Sequence, residues 1–148
     1  MKLIKKWTGL AVLLLMSGCA TNNVQKKIAD KVNDCNSSTC MITITQLTDF
    51  HWEKMIVFNY VVSLDEINKA IGTDYPYWEE YTRPIIFLYK KKIVHYENNR
   101  ANLEHIIDGQ VVFDYPDSLK YKVYTPRNSV FKAKKVTMQD GVYYELQN

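Results

Sequence analysis

Nine consecutive residues, Lys54-Met55-Ile56-Val57-Phe58-Asn59-Tyr60-Val61-Val62, are apolar on nearly both faces of the strand they would form. A strand that meets water on one face alternates apolar with polar residues, whereas one that is apolar on both faces lies centrally and is covered on both sides. Ser63 follows, with Glu66 three residues later, which is a capping box. Leu64, Ile67 and Ile71 then share one helical face, and Gly72 sits where a helix stops. A central strand, a short helix and its end are thus expected between residues 54 and 72.

The rest of the chain reads around this unit. Val24, Ile28 and Val32 recur every four residues among lysines and aspartates, which predicts an amphipathic helix to about Asp34. Met41 to Leu47, rich in Ile and Thr, reads as a strand. Residues 73–84 form an aromatic loop ending at Pro84. Ile85 to Tyr89 pairs with Ile93 to Glu97 across the turn Lys90-Lys91-Lys92. Residues 100–108 fit a helical turn or a loop, and Asp108-Gly109 is a turn. Val111 to Tyr115, Leu119 to Thr125 and Val130 to Met138 read as strands, and Asp140-Gly141 as a two-residue hairpin turn into Val142 to Leu146. The order predicts an α+β domain: a mostly antiparallel, meander-like sheet with an N-terminal amphipathic helix and one short helix.

The first residues carry an address. Lys2, Lys5 and Lys6 precede a short apolar run, Leu10 to Met16, and then the small pair Ser17-Gly18. The run is shorter than the roughly 20 residues a membrane-spanning helix needs. Met16-Ser17-Gly18-Cys19 resembles the lipobox of bacterial lipoproteins, with Met16 where Leu is usual. The resemblance implies a signal over 1–18 that is removed, a lipid on Cys19, and a tether over 19–23 before a single domain over 24–148. Ala20 stands where an Asp would retain a Gram-negative lipoprotein at the inner membrane. In such a source the resemblance therefore implies the outer membrane, facing the periplasm. One acyl chain binds membranes only marginally, so the several chains of a lipoprotein make a stable anchor.

Removal of residues 1–18 from the 148-residue chain leaves 130, enough for one domain with its own core. The chain holds 19 Lys and Arg against 16 Asp and Glu; three lysines and no acid leave with the signal, so the mature domain is electrically neutral. That removes the basic excess on which a nucleic-acid-binding reading would rest. Cys35 and Cys40 remain as an even pair in an oxidising compartment. Metal binding is the alternative, but the spacing is not C-x₂-C and no second cysteine pair exists. A disulfide closing a small loop is expected, contributing roughly 2 kcal/mol in the loop-entropy account.

Trp52-Glu53-Lys54, Ser63-Leu64-Asp65-Glu66-Ile67 with Gly72, and Ile85-Ile86-Phe87 with Lys92-Ile93-Val94 together resemble a pattern in small bacterial lipoproteins of uncharacterised function. The pattern spans about half of the mature chain and brings no functional residues with it.

Reactive groups are sparse. Ser129-Val130-Phe131-Lys132 matches S-x-x-K, but on a strand and without the K-T-G or S-D-N partners of penicillin-binding enzymes, so it reads as chance. His51, His95 and His105 lack metal-ligand spacing; His51 and Glu53 read as a polar edge beside a buried Trp52. Gly72, Gly109 and Gly141 are too far apart for a phosphate loop. Lys90 to Lys92 read as a solvated turn. The strongest candidate is the aromatic loop, with Tyr75, Tyr77, Trp78, Glu79, Glu80 and Tyr81 as a binding surface. Rings beside carboxylates suit a sugar or a protein partner; alternatively the rings roof the core while the acids face water. The expectation is a tethered, non-enzymatic binding module with no metal or cofactor. Its partner is a protein or a glycan, in a format that suits an inhibitor or immunity protein. A structural part of an envelope assembly, or a small hydrolase using Glu79 or Glu80, are the alternatives. Cys19→Ser is expected to abolish labelling by a radioactive fatty acid and to leave an unprocessed precursor; a variant still labelled and cut would refute the lipobox.

Overall fold

The computed structural model describes residues 23–102 and 107–148. The signal segment, Cys19, nearly all of the 19–23 tether and His105 lie outside them. The elements are α1 (Val24–Asn33), β1 (Cys40–Thr43), α2 (Ile44–Leu47), β2 (Lys54–Val57), α3 (Leu64–Ile71), β3 (Thr82–Tyr89), β4 (Lys92–Arg100), β5 (Gln110–Phe113), β6 (Lys122–Tyr124), β7 (Val130–Met138) and β8 (Gly141–Gln147), with a 3₁₀ turn over Pro126–Asn128. The domain is α+β, with mostly antiparallel strands in two four-stranded sheets. One sheet has the order β4-β3-β2-β6 and the other β1-β7-β8-β5.

The doubly apolar segment sits where its composition demands. Met55, Val57, Ile85 and Phe87 face the second sheet and join a core with Ile42, Phe113, Tyr124, Phe131 and Leu146. Ile56, Phe58, Ile86 and Leu88 face the opposite way, beneath Ile67 and Ile71 of α3. The layers are therefore sheet, sheet and helix, with the β3 sheet in the middle. α1 buries Val24, Ile28 and Val32 in the inter-sheet core. Its first amides need partners that a helix cannot supply internally. The buried Glu97 carboxylate of β4 accepts from Val24 N and Gln25 N, a placement the helix dipole also favours. The Cys35–Cys40 disulfide ties the end of α1 to β1.

Several local expectations hold. Ser63 Oγ accepts from Glu66 N while Glu66 reaches back to Ser63 N, and Gly72 ends α3 in the left-handed conformation at φ 73°. The lysine turn forms where expected but is one residue shorter: Lys92 belongs to β4 and pairs with Tyr89, leaving Lys90-Lys91 as a two-residue hairpin loop. Lys90 and Lys91 both have positive φ (48° and 63°), the backbone of a type I′ turn, achieved here without Asn or Gly.

Others are corrected by tertiary packing. The strand expected over 41–47 ends at Thr43; Ile44 starts a single helical turn because its side chain is buried and its N–H donates to Ser129 O (3.0 Å). The strand expected over 54–62 ends at Val57, where Asn59 turns to β5: its side chain donates to Phe113 O and accepts from Phe113 N (3.3 Å). The strand expected over 119–125 shrinks to β6. β3 begins at Thr82, inside the segment expected to be loop, and runs through Pro84. Pro84 O accepts from Phe58 N (3.2 Å), but Pro84 has no N–H to return the bond to Phe58 O, and the β2–β3 ladder ends at this pair.

The meander holds for β2-β3-β4 and for the β7-β8 hairpin, but β5 pairs with β8 in parallel. The final hairpin turn is Gln139-Asp140, one residue before the expected pair, because Met138 pairs with Gly141. Gly141 serves a close approach: a Cβ there would lie 3.0 Å from Asp108 Oδ1, which accepts from Val142 N.

Candidate functional site

Beyond Gly72 the chain crosses the helical face of the β3 sheet toward β4. Tyr75 N donates to Asn68 Oδ1 of α3 (2.8 Å), and the Tyr75 ring sinks into the second core at 2% exposure. Tyr75 is thus a roof residue and not part of the binding surface expected for it. Its hydroxyl donates to Asn98 Oδ1 (2.6 Å), and burial pushes the phenol above its ordinary range.

The remaining loop residues stand on this base. Tyr77 stacks on Tyr96 of β4 with centroids 4.1 Å apart and planes 12° off parallel. Tyr75 meets both rings edge-on at 5.9 Å, the geometry that ring quadrupoles favour. Asn98 works in both directions, accepting from Tyr75 and donating to Tyr77 O (2.6 Å) and Glu79 Oε1 (3.3 Å). Trp78 Nε1 donates to Val62 O (3.5 Å), and Thr82 Oγ1 to Glu79 O (2.7 Å). Tyr77, Trp78, Tyr81 and Tyr96 nonetheless remain 37–59% exposed, and Glu79 and Glu80 face solvent. Glu79, Glu80, Tyr81 and Thr82, with Arg100 and Ala101 at the end of β4, line a cleft of about 360 Å³.

Tyr81 has φ 59°, a conformation that a bulky residue rarely adopts. It is fixed there by Ala101 N, which donates to Tyr81 O (2.9 Å). Its ring is the most exposed of the loop, so packing does not offset that strain. Chemically, the arrangement offers flat apolar faces, two carboxylates and one guanidinium on a backbone tied by hydrogen bonds to α3 and β4.

Tyr96 and Asn98 were not legible as site residues. Their only signal is the period of two along β4: Tyr96 and Asn98 share the helical face, while His95, Glu97 and Asn99 share the inter-sheet face; the bulge at Val94 breaks the period below them and returns Ile93 to the helical face. Trp52 is buried as expected, with Nε1 donating to Thr48 Oγ1 (3.1 Å). His51 is exposed near the Tyr89 ring (6.4 Å), and Glu53 accepts from Lys90 N (3.1 Å). His95 contacts Glu97 Oε1 (3.0 Å) and packs on Phe50. Ser129 is fully buried just before β7, and Lys132 is exposed on β7. Among the described residues, no group of three or more His, Cys, Asp or Glu is placed to hold a metal, and no helix is long and apolar enough to cross a membrane.

No protein-family model matches the chain, and no curated protein or solved structure matches it. Tyr81→Gly is expected to raise stability by about 0.5–1 kcal/mol, the relieved left-handed strain less the added chain entropy. The check is the urea midpoint at unchanged slope; a lower midpoint would show that the ring packs.

Proposed function

We propose that the protein is a lipid-anchored component of the bacterial cell envelope that acts as a non-catalytic binding module. Cys19 carries the lipid, and in a Gram-negative source the domain faces the periplasm from the outer membrane. The aromatic loop, extended by Tyr96, is the surface that engages a protein or glycan partner.

The observation that carries this reading is the Tyr77–Tyr96 stack, held from below by Tyr75 and Asn98 while its outer faces stay open. Aromatic rings bring large contact area and few rotatable bonds, so a surface built from them binds at low entropic cost. An exposed residue held in a strained conformation, such as Tyr81, points the same way, since strain is retained where surrounding structure enforces it for a purpose. The disulfide supports an oxidising compartment.

The test is capture from detergent-solubilised cell envelope with the tagged protein, comparing wild type with a Tyr77→Ser/Trp78→Ala variant. Wild type is expected to retain one partner at near-stoichiometric yield, and the double variant to lose it. Equal capture by both would exclude the loop. A wild type that binds neither an envelope protein nor a glycan array would overturn the binding-module reading.

A further inference from the structure

A second surface lies on the same helical face, on the opposite side of α3 from the aromatic loop. Tyr96 pairs with Ile86 and Val123 with Ile56, so β4 and β6 flank α3 at the two margins of the sheet. On the β6 side, Phe58, Glu66, Lys69 and the segment 118–121 enclose a groove of about 490 Å³, within the range of ligand sites. Phe58 is 2% exposed and belongs to the core, and the Tyr121 ring packs 5.6 Å from it. Leu119, Tyr121 and Val123 remain 36–39% exposed.

Two features define what fits. The first is the sheet edge: among the described residues β6 pairs only with β2, leaving its other margin of N–H and C=O groups open beside the groove. Such an edge is a template for an added strand. The second is charge. Glu66 is committed internally, accepting from Lys120 Nζ and from Ser63 N and Oγ (both 3.1 Å). Those bonds, Lys120 first, hold its carboxyl down near 2. Lys69 forms no ion pair among the described residues, so the groove presents a surplus cation.

We propose that this groove binds an extended peptide segment of a partner protein, one that carries a bulky apolar side chain next to an acidic residue. The segment adds to the open margin of β6. Its apolar side chain lies between Leu119 and Tyr121, and its carboxylate meets Lys69. A free fatty acid would satisfy the groove and the lysine but would leave the strand edge unused.

The probe is a displayed library of random heptapeptides, panned against the full chain in mild detergent. Selected peptides are expected to combine acidic with bulky apolar residues and to shift the amide resonances of residues 122–124. Lys69→Glu and Leu119→Ser, both surface changes that spare the core, should each weaken a selected peptide about tenfold. Lys91→Glu, the same charge change at the distant hairpin, should not. No enriched peptides, basic peptides, or binders indifferent to Lys69→Glu and Leu119→Ser would each overturn the proposal.

Discussion

Burial of β3 on both faces is the constraint from which the architecture follows. Every residue from Thr82 to Leu88 is buried, and no single layer can cover both sides of a strand. The chain solves this by sending β1, β5, β7 and β8 to one face and α3 with Tyr75 to the other. α1 then adds three apolar residues to the inter-sheet core, and its anchoring depends on β4. Glu97, in register with Ile85, turns inward to meet the first amides of the helix, and Gln25 bonds both Asn99 and Val111 N. A buried carboxylate is costly unless its lone pairs are filled. Here helix amides and His95 fill them. Near the same end of the sandwich, Arg83 lies 8% exposed with Nη1 donating to Asn59 O, and burial lowers its basicity.

The same sheet sets the exposed aromatic surface. β4 is an edge strand, so its helical face is covered only as far as the loop after α3 can reach. That loop is fixed at three heights: Tyr75 in the core, Asn98 at the middle and Tyr96 at the top. The outcome combines the two readings open from sequence, a roof over the core and an exposed aromatic surface. Tyr75 is the roof; Tyr77, Trp78 and Tyr81 are the surface.

Local signals in the sequence were read correctly where a few neighbouring residues decide the outcome. The capping box, the six-residue cysteine loop and the lysine hairpin are all of this kind, as is the two-sided burial of the strand at 54–57 though not its length. Misreadings arose where distant contacts decide. Ile44 is β-branched and local preference favours a strand, but its burial and its bond to Ser129 O bend the chain. Gly141 looked like a turn glycine, yet it is needed for the approach of Asp108. The parallel β5-β8 pairing has no turn to announce it. Tyr75 and Tyr77 are the same residue type two positions apart, and only the path after Gly72 separates the buried one from the exposed one.

On this packing the aromatic surface is already formed in the isolated protein, held by the sheet beneath it. Backbone ¹⁵N relaxation tests this most directly. Order parameters of about 0.85 are expected for residues 77–81, matching β4. Values below about 0.6 across those residues, with β4 rigid, would mean a mobile loop and would contradict the claim of a preformed surface.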